Sequence, residues 1–494
     1  MSNTPDVVIC GAGAAGLTLA IELARRGVTF RLLEQREQPF HGSRGKGIQP
    51  RSQEIFEEMG IINRLFAAGG VYPTSRTHHA DGSSTDAVMV ETGSPSHAEP
   101  YRLPLMVPQF LTEAVMRERL IELGYLVEFG HTLVGFEHDA NGVSLHIATP
   151  TGEQSIRTRY LVGADGGRSF VRQSLGIGFP GKTLGVRAVV ADIMLQGLPR
   201  DAWHNFNEED MARRISLCPL MGTELFQLQA PVPLEGEVDL SVQGLSAMIR
   251  ERTGRTDLRV EGISWASAYQ MNARLADRYR DGRIMLVGDA AHTHPPTGGQ
   301  GLNTSAQDAY NLGWKLASVL RGSSDSLLDT YEEERRPVAA AMLGLSTRLL
   351  EHAQRGDNRR GREVQQLDLG YRGCSLSLPA EPRAGRIMPG DRAPDAPLRG
   401  AGGQPMRLFD VFRGTHWTLL GHAADRAVAP SHGGLQVHLI SPTDELRDTD
   451  GHVADAYGLA PGEWVLVRPD GYVAAVLPSE HMNALDTHLE RYAC

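Results

Sequence analysis

The sequence predicts an α/β protein, and three observations predict it. A β-branched run from Val7 to Cys10 passes into a glycine-rich turn, a helically spaced stretch from Leu17 to Arg26 that Gly27 stops, and a second apolar run from Phe30 to Leu33. Together they read as a βαβ unit. Far downstream, RIMLVGDAA reads as a further parallel strand that opens into a Gly-rich turn and a long helix over residues 304 to 320. Between and after these lie segments with strand alternation, so strands and helices share the chain throughout.

The remaining elements follow in order. Residues 43 to 66 and 109 to 124 read as helical, the second carrying Leu111, Val115 and Leu120 on one side. Residues 71 to 100 between them are polar and turn-rich. From 125 to 163 the pattern is that of a β-meander, with turns at Asn141-Gly142 and Thr151-Gly152. Strand-like pieces and one helix near 240 to 252 occupy 183 to 265. Residues 354 to 365 read as a charged linker, and 385 to 405 are rich in Pro and Gly. The rest forms a separate unit in which HWTLLGH, LQVHLI and EWVLVRPDGYVAAVL are strands among helical pieces.

Composition narrows the function classes. A chain of 494 residues has room for about three domains. With 49 Lys+Arg against 59 Asp+Glu the net charge is −10, and the lysines are only Lys46, Lys182 and Lys315, so no nucleic-acid surface is expected. Hydrophobic residues at 41% and charged residues at 22% are the balance of a soluble globular protein. No apolar run reaches about 18 residues, and the start MSNTPDVVICGAG shows no basic leader, so neither a membrane span nor export is expected. Cys10, Cys218, Cys374 and Cys494 stand apart without CxxC or metal-ligand spacing, which argues against a disulfide framework or zinc site and for a reduced, cytoplasmic setting. The 55 glycines point to tight turns and close backbone approaches.

The first chemical motif is GAGAAG: Gly11, Gly13, Ala14, Ala15 and Gly16 sit after a strand and at the start of a helix, and Glu34 closes the next strand. Gly11 permits the turn, Gly13 lets a pyrophosphate approach the backbone, and Gly16 lets helix and strand pack, while the helix N-terminus meets the anion. The Glu34 carboxylate suits ribose hydroxyls. The bland alternative is a tight βα turn without a ligand. The motif alone does not choose between NAD and FAD.

Two further strings, GADGGRSFVR over 163 to 172 and GRIMLVGDAAHTHPPTGGQGLN from Gly282, follow in that order. With them the chain resembles, over nearly its whole length, the group A FAD-dependent aromatic hydroxylases of the phenol hydroxylase and aromatic polyketide hydroxylase type. In that family GxGxxG binds the ADP moiety of FAD. The resemblance implies that Asp165, with Gly166, Ser169 and Arg172, forms the motif involved in FAD and NADPH binding. It also implies that Asp289, after Gly288, meets the ribityl chain. Pro295, Pro296, Gly298, Gly299, Gln300, Gly301, Leu302 and Asn303 resemble the loop along the isoalloxazine ring, and Pro295 and Gly298 are the candidates nearest the chemistry. Arg44 and Gln109 occupy positions similar to FAD contacts; plain surface or capping roles compete. Independently of the family, Asp289 falls at the carboxyl end of a parallel strand, where open α/β sheets bind ligands. The prolines fix a rigid wall, and the helix beginning near Asn303 offers its positive end to reduced flavin.

The implied fold is a Rossmann-like FAD-binding domain from 1–75, 100–182 and 265–355, a β-sheet substrate-binding domain from 76–99 and 183–264, and a thioredoxin-like C-terminal domain over 385–494. That last domain lacks CxxC and so cannot run dithiol exchange within itself. The implied activity is NAD(P)H- and O2-dependent hydroxylation of a small aromatic substrate, phenolic or polyketide-like, through a flavin C4a-hydroperoxide. The competing readings are Baeyer–Villiger insertion or epoxidation by the same cofactor, or a flavin-containing binding protein without turnover; a homodimer is left open. His292 and His294 read as structural rather than as bases. His78, His79, Trp203, His204 and Tyr269 fall in substrate-side segments. The YEEERRP string, with Glu332, Glu333, Glu334, Arg335 and Arg336 before Pro337, reads as a solvated or interdomain structural helix.

Overall fold

A computed structural model describes residues 4–88, 96–210, 212–354, 360–380, 387–442 and 444–492. At its centre Val7–Cys10, buried along its whole length, pairs in parallel with Phe30–Glu34 on one side and Tyr160–Gly163 on the other. Val127–Phe129 and Ile284–Leu286 extend the sheet in parallel at its two sides, and Arg280–Asp281 adds an antiparallel edge. Helices Ala14–Arg25 and Gly301–Arg321 pack against each other at Gly313, where an added Cβ would sit 2.7 Å from the Glu22 Cβ.

The expected meander divides. Thr132–Asp139, Gly142–Thr149 and Gly152–Thr158 form an antiparallel sheet joined by the expected turns. The two end strands leave it for the parallel sheet. Tyr160–Gly163 is apolar and buried at every position, which suits a strand covered on both faces, whereas Gly142–Thr149 mixes buried and open positions. The stretch 43 to 66, expected as helix, begins instead with the short strand Gly47–Ile48. Pro50 then opens the helix Pro50–Glu58, its fixed φ suiting the first turn.

A second sheet of eight strands stands over the carboxyl end of the first. Its backbone is the antiparallel pair Gly181–Gln196 and Arg259–Leu275, whose register shifts at Thr183/Arg187, Asp192/Ile193 and Met194/Leu195. Bulges of this kind curve a sheet. Arg259–Leu275 runs without a break through residue 265, where the sequence suggests a domain edge. Helix Val242–Thr253 covers the outer face through Leu245 and Ile249.

The C-terminal unit is a seven-stranded sheet. Trp417–His422 pairs in parallel with Leu435–Ile440 and antiparallel with Glu463–Val467, which continues into Val473–Pro478 and the helix Asn483–Tyr492. The crossover between the parallel pair contains only a 3-10 turn, Arg426–Val428, and no cysteine. Cys494 lies outside the described residues.

YEEERRP departs from the expected solvated helix. Its interdomain role stands, but Glu334 and Arg335 are fully buried within the helix Asp329–Gln354, which runs on through Pro337. Glu334 accepts from Lys315 Nζ at 2.7 Å and from Arg468 Nη1 at 2.5 Å, and Arg468 also binds Asp470. Burial alone would raise the Glu334 carboxyl. Arg468 and Lys315 override it and hold the group well below the usual carboxylate range. A carboxyl lowered on folding stabilises the fold above its ordinary range, and that stability is lost as pH falls through the folded value. Glu334→Gln leaves two cations facing a neutral amide, so we expect a loss of about 3–5 kcal/mol in urea unfolding at pH 7, shrinking as the pH drops below 4.

Candidate flavin and substrate site

Three glycine-bearing turns meet at the carboxyl end of the parallel sheet. Gly11, at φ 104°, lies against Ala164: an added Cβ would come within 2.3 Å of the Ala164 oxygen. At Gly16 it would come within 1.9 Å of the Gly11 oxygen. At Gly288, φ 60°, it would meet Ser305 and the Ala15 Cβ. Arg172 ties the second turn to the third by donating to the Ala290 and Gly167 carbonyls at 2.8 and 2.9 Å.

Gly13 differs from its neighbours. An added Cβ there meets only Glu113 Oε1, at 3.8 Å, so the glycine is not required by protein packing. Gly13 is also the N-cap of Ala14–Arg25 and supplies no side-chain cap, which leaves the first-turn N–H groups of Ala14 and Ala15 open to a ligand. Glu34 faces the same turn. Its Oε2 accepts from Ala12 N and its Oε1 from Arg36 N, both at 3.0 Å, so the carboxylate shapes the turn and retains lone pairs for hydroxyls. In the second turn Ser169 caps the helix Phe170–Ser174, and Asp165 Oδ2 accepts from Val171 N at 3.0 Å. Burial raises the Asp165 carboxyl, and its Oδ1 is buried with no partner among the described residues. Asp289 stands exposed just past the strand Ile284–Leu286, free to accept from a polyol.

The long helix begins at Gly301, two residues before the expected start, and Gln300 gives it no side-chain cap. Gly298 and Gly299 have φ of 80° and 64°, conformations that bring main-chain groups around the bend after Pro295 and Pro296. Asn303 fixes this loop to the stretch 44–49: its Oδ1 accepts from Gln49 N at 2.8 Å and its Nδ2 donates to the Gly47 and Gly299 carbonyls. Leu302 packs on Gly45. Gln109 binds Gly45 N and Glu113, holding the same stretch, while Arg44 projects outward over the Phe40 ring at 4.7 Å.

His292 lies fully buried behind the loop, bonded through Nε2 to Asp308 at 2.5 Å. Burial opposes the Asp308 charge, but His292 and Arg335 together hold that carboxyl low. Burial pushes His294 down to about 3. A base fixed in an ion-paired network and a histidine neutral at every working pH are both structural.

In front of the loop is a cavity of about 210 Å³. Pro296 to Gly299 close one side and the eight-stranded sheet the other, with Trp203, Gln227 and Tyr269 on the sheet side. Of the five expected substrate-side residues, Trp203 and Tyr269 reach it. His78 and His204 bind each other at 2.9 Å near the far edge, and His79 binds Thr85. Lys46 and Arg360 also line the cavity and carried no chemical motif. Lys46 was discoverable only as one of three lysines in an arginine-rich chain.

A glycine-turn sheet with a ring-sized cavity at its carboxyl end defines a FAD-binding enzyme of the doubly wound class. The comparisons make this specific. Residues 4–346 match the FAD binding domain family and residues 386–493 the aromatic-ring hydroxylase C-terminal family. A flavin-dependent monooxygenase of Mycobacteroides abscessus is 41% identical over 479 residues, covering 96% of this chain and 97% of that one. The flavin-dependent monooxygenase PieE, solved with FAD and substrate, superposes with a TM-score of 0.85 at 27% identity, covering 99% of both chains. Aklavinone-11 hydroxylase, solved with FAD and aklavinone, gives 0.84 at 27% identity over 100% of this chain and 99% of that one. The chain belongs to the FAD-dependent aromatic-ring monooxygenases.

These residues fit FAD: an open Gly13, an unpartnered Asp165 oxygen, an exposed Asp289 and two uncapped helix starts converge on one cleft. Gly13→Val is expected to keep the apoprotein melting temperature while FAD affinity falls by about 2 kcal/mol or more, roughly 30-fold, read by flavin absorbance after gel filtration. Gly16→Val should instead fail to fold. Full flavin occupancy in soluble Gly13→Val would remove the pyrophosphate from this turn.

Proposed function

We propose that the protein hydroxylates a small aromatic substrate, phenolic or multi-ring, with NAD(P)H as electron donor and O2 as oxygen donor. The observation that carries this reading is the cavity, walled on one side by the Pro296–Gly299 loop and on the other by the curved sheet. Held by the three glycine turns, FAD would supply the redox chemistry that couples oxidation of NAD(P)H to insertion of one oxygen atom from O2 into the substrate ring, the other leaving as water.

The chain's own residues bind, orient and exclude water. In this reading Gly11, Gly13, Ala14, Ala15 and Gly16 receive the pyrophosphate, Glu34 the ribose, and Asp165 and Asp289 the sugar-like and ribityl hydroxyls. Pro295, Pro296, Gly298, Gly299, Gly301, Leu302 and Asn303 shape the ring pocket, with Arg44 and Gln109 at its rim. The N–H groups at the start of Gly301–Arg321 face that pocket and favour negative charge there by roughly 0.5–2 kcal/mol. Trp203 and Tyr269 offer aromatic faces to a flat substrate. The C-terminal domain acts structurally, holding the long helices through Arg468 and Asp470.

Substrate-stimulated NAD(P)H oxidation across a panel of phenols and fused-ring hydroxyaromatics, with the product weighed after reaction in labelled O2, checks this. One labelled oxygen on a ring carbon is expected. An ester from C–C insertion would reject hydroxylation, and no stimulation by any compound would reduce the protein to a flavin carrier. Asp289→Ala should lose flavin on dialysis, weakening retention by about 1–3 kcal/mol.

A further inference from the structure

Among the described residues the cavity is lined by four cationic side chains, Arg44, Lys46, Arg214 and Arg360, and by no Asp, Glu or His. That is unexpected in a chain of net charge −10. Two of the four are accounted for. Arg44 is solvent-exposed over Phe40, and Arg214 has Glu208 at 3.9 Å.

Lys46 is different. It is 7% exposed, its Nζ donates to Gln227 Oε1 at 2.7 Å, and it lies 3.9 Å from the centre of the Trp203 ring. Gln227 is held in turn by Ser43, whose N–H and hydroxyl both go to Asp192. The ammonium is therefore fixed in place rather than free to swing. Its remaining neighbours do little to neutralise it. Burial pushes the Cys218 thiol and the Tyr72 hydroxyl up, so both stay neutral, and Asp192 acts on Lys46 more weakly than Cys218 does. Among the described residues Arg360 has Tyr72 and Cys218 as its favourable partners, and it repels Lys46. Burial draws both cations below their ordinary values, the direction expected where charge is taken from water with little compensation.

Resting on the reading of this cavity as the substrate site, we infer that Lys46, with Arg360 beside it, is an anion subsite that holds an acidic ring oxygen of the substrate, a phenolate or enolate. The substrate is ionised by these cations, and its proton passes to solvent as it binds. Among the described residues no carboxylate or imidazole lines the cavity to take it. Lys46 also adjoins Gly47, whose carbonyl accepts from Asn303, so it stands beside the ring loop that Asn303 secures. Lys46 is thus a positioning and specificity-determining residue: it selects hydroxyaromatics that ionise near neutrality and places the ionised edge against the sheet.

The test uses oxidised FAD-loaded enzyme and 1,2-dihydroxyanthraquinone, a dye whose colour reports its own ionisation, so no turnover is needed. Bound to wild type, the dye should titrate at least about one unit below its value in buffer, a tenfold or greater preference for the anion. In Lys46→Met that shift should vanish and dye affinity near neutrality fall about tenfold or more, while Lys46→Arg retains most of both. The dye's O-methyl ether should bind wild type and Lys46→Met alike. Each variant is first checked for wild-type flavin content and melting temperature. A bound dye that stays neutral in wild type, no binding at all, or an undiminished shift in Lys46→Met overturns the inference; the wild-type result decides even if the variant does not fold. Dye bound as the anion without oxygen transfer to any aromatic would sink the monooxygenase reading and leave the subsite standing.

Discussion

Main-chain atoms touching where no side chain could stand are the constraint on which this molecule depends. Gly11 rests on Ala164 and Gly16 on Gly11, so the first strand, its helix and the second turn close on one point. Gly288 against Ala15 brings in the third turn from nearly three hundred residues away. Once these backbones meet, the open face of Gly13, the exposed Asp289 and the uncapped start of the long helix must point into a common cleft. Such a cleft offers unpaired N–H groups and carboxylates, the groups that suit an anionic, hydroxyl-rich cofactor.

The second sheet gives the cleft its other wall. Its two long strands curve through bulges, and the concave side they leave is faced by the Pro296–Gly299 loop. The stretch 44–49 is the seam between the two. Gln109 and Asn303 hold it to the cofactor side, and Lys46 reaches Gln227 on the sheet side.

Buried charge binds the third unit to the first. Glu334, Lys315, Arg468 and Asp470 form a closed set in which every member has an opposite partner, and Trp314 Nε1 and Asn311 complete the Asp470 and Glu334 shells. Arg335 and Asp308 form a second buried pair, which meets His292 at the back of the ring loop. Satisfied charges of this kind fix relative orientation more than they add stability. The tail thereby governs where the two long helices sit, without chemistry of its own.

The sequence by itself determined the cofactor end. Gly11 and Gly16 were legible because the turn admits no side chain there, Asp289 because it follows a parallel strand, Gly13 from the glycine motif, and Asp165 only through the family resemblance. The parallel strands Val127–Phe129 and Tyr160–Gly163 were not assigned to their sheet, since a run of apolar residues does not state its neighbours. Nor was the burial of Glu334: charges at helical spacing read as solvated, and the partner that changes this, Arg468, is 134 residues away. Only the tertiary structure decided the cavity. Lys46, Trp203, Gln227 and Arg360 come from four distant segments, and only folding brings them around one ring-sized space, with Lys46, Trp203 and Gln227 buried out of water.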